Sequence, residues 1–496
     1  MRYIINAILL VFIFSFTKAE EYKMSYTCNK AYEHILMYDF AEGQKLLTQE
    51  KSENPENLIV YWLEDYINFY KTLSHQNYNE YENLKEDREK RIDILKDGNE
   101  DSPFYSLCLA EVYIHRAIER IMFEEYFDGA LDVNRAYKLL ESNTEDYPSF
   151  LPTYKCLGVL HALIGLIPPE YDWIKSLLNI RGSMTMAENE LTTVLNLSLE
   201  KEEWQYLAVE SFCFYSLIKM NTGETKTAIK KLDYYMQNPY LQKMKTLSPM
   251  LNFVQAKLYM AKKQTNQAIY TLLNFTQSGQ DIYYRTYYLG LLKLRRQDKD
   301  AKNYFVQYLN QYTGKHYVKS AYQKLAWTYF VEGDTLSYQK NMEKVVFLGT
   351  NKSDEDKQAQ KEALSLSFPN YYLLKARLLF DGGFYKEALQ TLMEDKISGI
   401  CRNEEEKLEY IYRIARIFHE LGKIDKAIKY YKNVIEKKEN SRSHFPANSA
   451  LFLGQIYEES GDFSTAKKYY QECLNMDFDA YHNSICQKAK AGLERL

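Results

Sequence analysis

Apolar residues recur along most of the chain at spacings of three, four and seven, which is the pattern of helices that bury one face. The pattern is clearest in residues 408–441 and 447–480, where two periodic stretches are joined at a glycine. Glycine and proline number only 19 and 10 among 496 residues, although sheets and tight hairpins need them at their turns. The sequence therefore predicts an all-α fold.

The two clearest segments place small and aromatic residues at matching positions when Gly422 is aligned with Gly461. Two helices approach to about 8 Å only where the side chains between them are small, and aromatic rings fill the wider gaps. We expect both glycines to end the first helix of a pair in the left-handed conformation that other residues avoid. The matched pairs are Ala415 with Gly454, Phe418 with Tyr457, Ala427 with Ala466, and Tyr431 with Tyr470.

This order of small, aromatic, glycine and alanine residues in a frame of about 34 residues resembles the tetratricopeptide repeat. Residues 369–402 follow the same frame, and weaker copies occupy residues 209–242, 249–282, 282–314 and 319–348. The resemblance implies a superhelical α-α solenoid, in which stacked helical hairpins bury a continuous core that no single hairpin could form.

The quality of the repeat divides the chain into two regions. Residues 20–245 are predicted to form a divergent helical-repeat region with longer helices, and residues 246–496 the repeat array itself. Within the array, residues 349–368 are polar and charged, so we expect a linker there that ends in a short helix.

One segment of the first region departs from the repeat. Pro168-Pro169 forbids helix continuation, and a short inserted helix with Trp173 on its apolar side is predicted near residues 168–182. This helix plugs the core of the solenoid, caps the groove, or presents Trp173 to a partner or to a membrane surface.

The N-terminus has the three-part layout of an export signal. Arg2 precedes an apolar run from Ile4 to Phe16, and small residues precede a cut after Ala19. Residues 1–19 are therefore predicted to be a signal peptide, with an uncleaved anchor as the alternative, although a membrane span needs roughly 20 apolar residues. The predicted location is the periplasm, and secretion is the other option.

Most of the chain is similar to exported tetratricopeptide-repeat proteins of Bacteroidota-type bacteria. The segment IPPEYDWIKSLLNIRG and the ending SICQKAKAGLERL carry this resemblance. It implies the fold and the export route but no reaction, because that family is largely without assigned activity.

No motif for catalysis or for a cofactor accompanies the repeats. Lys and Arg number 63 against 67 Asp and Glu, so the net charge of −4 offers no broad basic field for nucleic acid. His482 and Cys486 are spaced to share a helix face, but they lack the further ligands that a metal site needs. The seven cysteines are interpreted as buried thiols, with a Cys473–Cys486 bridge as the exception, and acidic runs such as 404–406 as solvated helix faces. We therefore predict no enzymatic activity, no metal and no cofactor.

The first helices of a repeat solenoid line its concave face, which is the expected binding surface. Aromatic and arginine side chains make good anchors there because they bury area with little loss of entropy. No repeat has the Lys and Asn pair of the chaperone-type carboxylate clamp of this family. The family frame places on this surface Phe253, Lys257, Trp327, Phe330, Arg377, Phe380, Tyr412, Arg416, His419, Gln455 and Glu458, and Trp173 on the inserted helix is a further candidate.

The leading hypothesis is a non-enzymatic scaffold of the cell envelope that binds a protein partner through its concave face. The alternative is a periplasmic ligand-binding module for glycans or peptides, since Trp and Tyr faces stack on sugars. Peripheral contact with a membrane is compatible with either hypothesis, and the sequence leaves the partner and the oligomeric state open.

Overall fold

The computed structural model describes residues 21–165, 180–222, 225–275, 282–394, 397–437, 442–479 and 481–496. Every regular element within these ranges is a helix, which confirms the all-α prediction. The predicted signal peptide and Trp173 of the inserted helix lie outside the described residues. Within the described part of the chain, no helix combines the length and the apolar character that membrane crossing requires.

Consecutive helices pack against each other in pairs, as the solenoid prediction requires. In the first half the helices are Tyr26–Leu36, Phe40–Glu53, Ile59–His75, Tyr78–Lys96, Pro103–Met122, Tyr126–Asp146, Leu151–Gly165, Met184–Glu200, Ala208–Thr222, Thr225–Tyr235, Pro239–Lys245 and Pro249–Ala261, with a 3-10 helix at Glu202–Leu207. They continue as Thr265–Leu273, Tyr283–Arg296, Ala301–Gln311, Val318–Val331, Thr335–Phe347, Asp354–Leu364, Tyr371–Asp381, Tyr385–Leu392, Ile397–Ile400, Glu404–Glu420, Ile424–Glu436, Phe445–Glu459, Phe463–Leu474 and His482–Arg495.

The contacts divide the chain into two compact units. The first unit contains Met1–Gln255 and Asn274–Ile282, and the second contains Ala256–Leu273 and Tyr283–Leu496. This division falls inside the helix Pro249–Ala261, about ten residues after the domain boundary predicted at residue 245. The predicted boundary therefore stays a prediction.

Small residues allow the paired helices of the second unit to approach closely. Ala415, Ala427 and Ala466 are completely buried. A methyl group on Gly454 would lie only 2.5 Å from the ring of Tyr470, so glycine alone fits between these helices. The close helix contacts predicted from the sequence are therefore confirmed.

The turn between paired helices has the same backbone conformation in strong and weak repeats. Gly422 and Gly461 have φ values of 68° and 82°, as predicted. In both turns the N–H of the glycine donates to the carbonyl of the residue three positions earlier. The N–H of the residue after the glycine donates to the carbonyl five positions earlier than itself. The weak repeat at 319–348 keeps this turn with Gly333, whereas four other hairpins keep it without a glycine, and there the left-handed residues are Tyr38, Glu124, Lys263 and Gln297.

Two turns that are far apart in sequence contact each other in the second unit. Thr265 Oγ1 donates to the carbonyl of Gly382 at 2.8 Å, and Lys263 Nζ lies 3.4 Å from the carbonyl oxygen of Asp381. Gly383 has a φ of 83°, and a methyl group there would overlap the carbonyl oxygen of Lys263. We call this contact the turn junction, and it joins the turn at residues 262–264 to the turn at residues 382–384, both within the second unit.

The predicted linker at 349–368 is largely a packed helix, which corrects the sequence interpretation. Helix Asp354–Leu364 packs against helix Val318–Val331. The buried carboxylate of Asp356 accepts hydrogen bonds from the N–H groups of Tyr317 at 2.7 Å and Ser320 at 2.9 Å. The helix that starts at Val318 has no capping side chain of its own, so a residue from a later helix satisfies its first amides.

The acidic run at 404–406 is not wholly solvated, which is a second correction. Glu406 is 9% exposed. Its carboxylate accepts hydrogen bonds from Arg402 Nε at 2.7 Å and from Asn370 Nδ2 at 2.8 Å. Periodicity alone could not show this, because both donors reach Glu406 from outside its helix.

Replacing Gly383 with alanine is expected to destabilise the second unit more than replacing Gly422. Both positions have a positive φ, which costs an alanine about 1–2 kcal/mol. Nothing lies within 4 Å of a methyl group at Gly422, whereas one at Gly383 would also overlap the turn at Lys263. We expect Gly383→Ala to lower the free energy of unfolding by about 1–3 kcal/mol more than Gly422→Ala does. Urea unfolding followed by circular dichroism measures both, and equal losses would contradict the turn junction.

Candidate functional site

Six cationic side chains of the second unit come together from five helices and one turn. Each is only partly exposed, and each interacts electrostatically with other members of the group or stands over a shared aromatic ring. We call this group the cation cluster. Its members are Lys257, Lys263, Arg295, Lys324, Arg377 and Arg416.

Aromatic rings hold several of these cations in place. Lys324 Nζ lies 4.0 Å from the ring centre of Trp327, and the guanidinium of Arg377 lies 5.1 Å from the same ring. The guanidinium of Arg416 lies 4.1 Å from the ring centre of Phe452 and 5.0 Å from that of Phe380. Each such contact contributes about 0.5–1 kcal/mol or more, because the negative face of the ring attracts the cation.

A single carboxylate from the turn junction lies among the cations. Asp381 Oδ1 is 4.0 Å from Lys263 Nζ. Burial alone would raise the pKa of Asp381, but Arg295, Lys263 and Arg377 outweigh burial and hold that pKa below its usual value. Asp381 is therefore ionised at neutral pH and neutralises part of the cluster.

Two lysines of the cluster lose part of their positive charge near neutral pH. Burial, reinforced by the neighbouring Arg377 and Arg295, lowers the pKa of Lys324 to about 7. Burial and Arg295 lower the pKa of Lys257 to about 8, against the opposing effect of Glu355. The shifts have a common cause, because each ammonium group is partly removed from water and placed beside other cations.

Positive charge is in excess in the cluster. Besides Asp381, the carboxylates Glu355, Glu362 and Glu420 act on its lysines, so six basic side chains outnumber these four acidic ones, and the lowered pKa values of Lys324 and Lys257 reduce the excess at neutral pH. Glu362 is already engaged, since it accepts hydrogen bonds from Trp327 Nε1 at 2.8 Å and from Gln323 Nε2 at 2.5 Å. Arg416 Nε is buried without a hydrogen-bond partner.

Five residues predicted from the sequence belong to this site. Lys257, Arg377 and Arg416 are members of the cation cluster, and Trp327 and Phe380 are rings beneath it. Lys257 Nζ stands 4.2 Å from the ring centre of Tyr288, which the sequence did not single out.

The other predicted residues have different surroundings. The ring of Phe330 packs on Tyr338 and Phe368, and Glu458 pairs with Arg495 at 2.8 Å in the last helix. Two more adjoin the cluster, because the hydroxyl of Tyr412 accepts from Arg416 at 3.2 Å and the ring of His419 contacts Phe452. The remaining positions are Gln455, partly buried on helix Phe445–Glu459, Phe253, one turn before Lys257 on its helix, and Trp173, outside the described residues.

Sequence reasoning missed half of the cluster. Lys263, Arg295 and Lys324 occupy frame positions that were not expected to face the binding surface. For Lys324 a signal was available, because Lys324 and Trp327 are three residues apart on one helix and therefore neighbours on its surface. Lys263 and Arg295 enter the cluster at the turn junction, which no local pattern reveals.

The first unit buries a separate charged group around Lys155. Its Nζ lies 2.7 Å from Glu111 Oε1 and 2.9 Å from Glu210 Oε2, and it donates to the hydroxyl of Tyr66 at 2.8 Å. Burial alone would lower the pKa of Lys155, but the two carboxylates outweigh burial and raise it well above its usual value. The further donors to these carboxylates are Tyr32, Tyr70 and Trp62.

This buried group is a part of the core of the first unit. Lys155 is 1% exposed, and Glu111 and Glu210 are 5% and 2% exposed. The cavity beside these two carboxylates, His115 and Cys156 has room for about one water molecule. The two carboxylates share Lys155 and accept further hydrogen bonds from buried donors, so every charged group of this network has a partner within the core.

The cysteines and histidines give no sign of a metal site. All seven cysteines are free thiols and six are buried, which confirms their interpretation as buried thiols. Cys486 Sγ lies 3.8 Å from His482 Nε2, on the predicted common helix face. Among the described residues, no group of three or more His, Cys, Asp or Glu side chains is arranged to hold a metal ion.

A comparison with known protein families identifies part of the helical array. The family model of the tetratricopeptide repeat matches residues 408–477. The chain contains tetratricopeptide repeats. The matched repeats include Arg416 and Phe452, so part of the cation cluster lies on first helices of recognised tetratricopeptide hairpins. A search of curated proteins found no match.

Lys155→Met is expected to lower the free energy of unfolding by about 3–5 kcal/mol, because Glu111 and Glu210 are then buried without their cation. Adding Glu210→Gln should restore part of the loss, since it removes one of the two stranded charges. Urea unfolding measures these values, with Lys45→Met at an exposed lysine as the control. A loss no larger than that of the control would mean that the group is not buried as described.

Lys324→Met is expected to stabilise the protein. The pKa of Lys324 is about 7 in the folded chain, against about 10.4 for a free lysine. Its protonation therefore favours the unfolded chain, and this penalty grows as the pH falls from about 10 to 7 and is constant below that. Partial exposure screens the effect, so we expect a gain on the order of 1–3 kcal/mol at pH 7 and almost none above pH 10. Urea unfolding at both pH values tests this, with the exposed Lys429→Met as control.

Proposed function

We propose that this protein is a non-enzymatic scaffold that binds a segment of a partner protein through the cation cluster of its second unit. The observation that carries the proposal is the excess of partly exposed cations on the first helices, part of which belong to the matched tetratricopeptide repeats. Tetratricopeptide repeats generally mediate interactions between proteins. The use of the concave face by this chain is our proposal.

The state of the aromatic rings favours a protein partner over a glycan. Stacking on a sugar needs a free aromatic face, but Trp327 is 2% exposed and carries two cations, Lys324 and Arg377. Phe380 is 8% exposed and lies beneath Arg416. The rings therefore position the cations, and the cations are the groups offered to a ligand.

We further propose that the protein acts in the cell envelope. Support comes from the sequence of residues 1–19, which has the charged start, apolar run and small-residue cut site of a signal peptide. A scaffold in that compartment would meet partners that assemble or operate outside the cytoplasm.

The double variant Arg377→Glu with Arg416→Glu is expected to lose partner capture. A photoreactive residue is introduced at exposed Glu420, next to Arg416, and crosslinking is done in intact cells before the envelope fraction is separated. Mass spectrometry then identifies and quantifies the crosslinked protein. We expect at least a tenfold loss with the double variant, because like charges at the contact oppose binding.

The matched control is Lys429→Glu with Lys467→Glu, which makes the same change of charge at exposed positions on second helices. Circular dichroism must show that both double variants keep their helical content. Equal capture by the two double variants would reject the proposed binding surface, and recovery of the protein in the cytoplasmic fraction alone would reject the proposed location.

A further inference from the structure

We propose that the cation cluster binds the carboxylate side chains of an extended acidic segment of the partner. This inference rests on the proposed function, and it specifies the chemistry of the partner at the same site. It concerns only the second unit, in which all six cations and their rings lie.

The first argument is charge. Six basic side chains of the cluster stand against the four carboxylates Asp381, Glu355, Glu362 and Glu420, so positive charge remains in excess even though Lys324 and Lys257 are partly neutral at pH 7. Positive charge that is partly removed from water is costly unless an anion accompanies it. A ligand with negative charge would remove this cost, whereas a neutral or basic ligand would add to it.

The second argument is geometry. The rings fix the direction of the cations, so little side-chain entropy is lost when a ligand binds. The guanidinium of Arg416 stands over Phe452, its Nη1 donates to the hydroxyl of Tyr412 at 3.2 Å and its Nη2 lies 3.9 Å from Glu420, so the two Nη atoms keep donor capacity for a further carboxylate. Lys324 Nζ has one neutral acceptor, Gln323 Oε1 at 2.5 Å, and keeps further donor capacity.

The third argument concerns the spacing of the cations. Lys324, Arg377 and Arg416 come from three first helices that contact one another in succession, and the axes of such neighbouring helices lie about 8–10 Å apart. An extended chain advances about 3.3 Å per residue, so acidic residues two or three positions apart would meet successive helices. A short segment with spaced Glu or Asp residues matches this pattern.

The surroundings of the cluster favour such a peptide over a nucleic acid. The rings that bases would stack on are already covered by cations. Glu355 and Glu420 are exposed beside the cluster and would repel the unbroken row of phosphates of a nucleic-acid strand. A peptide can present carboxylates at the cations and neutral side chains at these two residues.

Proton uptake is expected to accompany binding. Lys324 faces Arg377, Arg295, Glu362 and Glu355, and Lys257 faces Arg295 and the same Glu355. An added carboxylate raises the pKa of both lysines above their values in the free protein. The contribution of the lysines to binding is therefore complete below about pH 7 and is lost as the pH rises through the raised values.

The test uses the full mature chain and a fluorescein-labelled peptide of about 12 residues in which Glu alternates with Ser, a length that spans the cluster. Fluorescence anisotropy gives its dissociation constant at pH 6 and pH 9 in low salt. We expect binding at least about tenfold tighter than that of the matched Gln–Ser peptide, and a loss of about tenfold or more between the two pH values.

Variants assign the binding to the cluster. Lys324→Gln should weaken binding of the Glu peptide at pH 6 by about tenfold and flatten the pH dependence, and the variant is not expected to unfold because it removes a desolvated cation. Arg416→Gln should weaken binding at both pH values alike, since arginine does not titrate in this range. Lys429→Gln, at an exposed lysine on a second helix, should bind like the unaltered protein.

Each remaining outcome decides against the inference. Equal affinity for the Gln and Glu peptides, with both lost in Arg416→Gln, would overturn the acidic partner and leave the proposed binding surface intact. Tighter binding of a single-stranded oligonucleotide than of the Glu peptide would replace the peptide by a nucleic acid. No binding of the Glu peptide at pH 6 would also overturn the inference, whereas the proposed function fails separately in the in-cell crosslinking experiment.

Discussion

Contact between the turn at Lys263 and the turn at Gly382 and Gly383 determines where the charges of the second unit lie. These residues are more than a hundred positions apart, and they pack backbone against backbone, with Thr265 donating to the carbonyl of Gly382. Such an approach is possible because Gly383 carries no side chain that would meet the carbonyl of Lys263. The consequence is that Lys263 and Asp381 come within reach of Arg295, and a set of separate hairpins acquires one shared group of cations.

The two units differ in how far their buried charges are compensated by neighbouring groups. In the first unit Lys155 is enclosed by two carboxylates and by hydroxyl donors, and the group is complete without any ligand. In the second unit the cations rest on rings, outnumber the carboxylates and keep partial exposure. A completed network contributes to a specific core, whereas an incomplete one is a place where an additional anion lowers the free energy.

Much of the fold was predictable because a helical hairpin is specified locally. The spacing of apolar residues identified the helix pairs, and small residues such as Ala427 marked their contacts. Turns such as those at Lys263 and Gln297 were not recognised, because their left-handed residue is not a glycine, and glycine is the residue by which such turns are recognised in a sequence. The helix Asp354–Leu364 was interpreted as a linker for a related reason, since its polar composition hides a buried Asp356 that caps another helix.

The helical hairpins, their close contacts and five residues of the candidate site could be read from spacings of a few residues along one helix, because about 3.6 residues per turn fix the face that each residue occupies. That Lys263, Arg295 and Asp381 join these five residues becomes visible in the folded chain only. Which distant turns come into contact depends on the packing angles of all the hairpins between them. The sequence pattern within one hairpin carries no information about these combined angles.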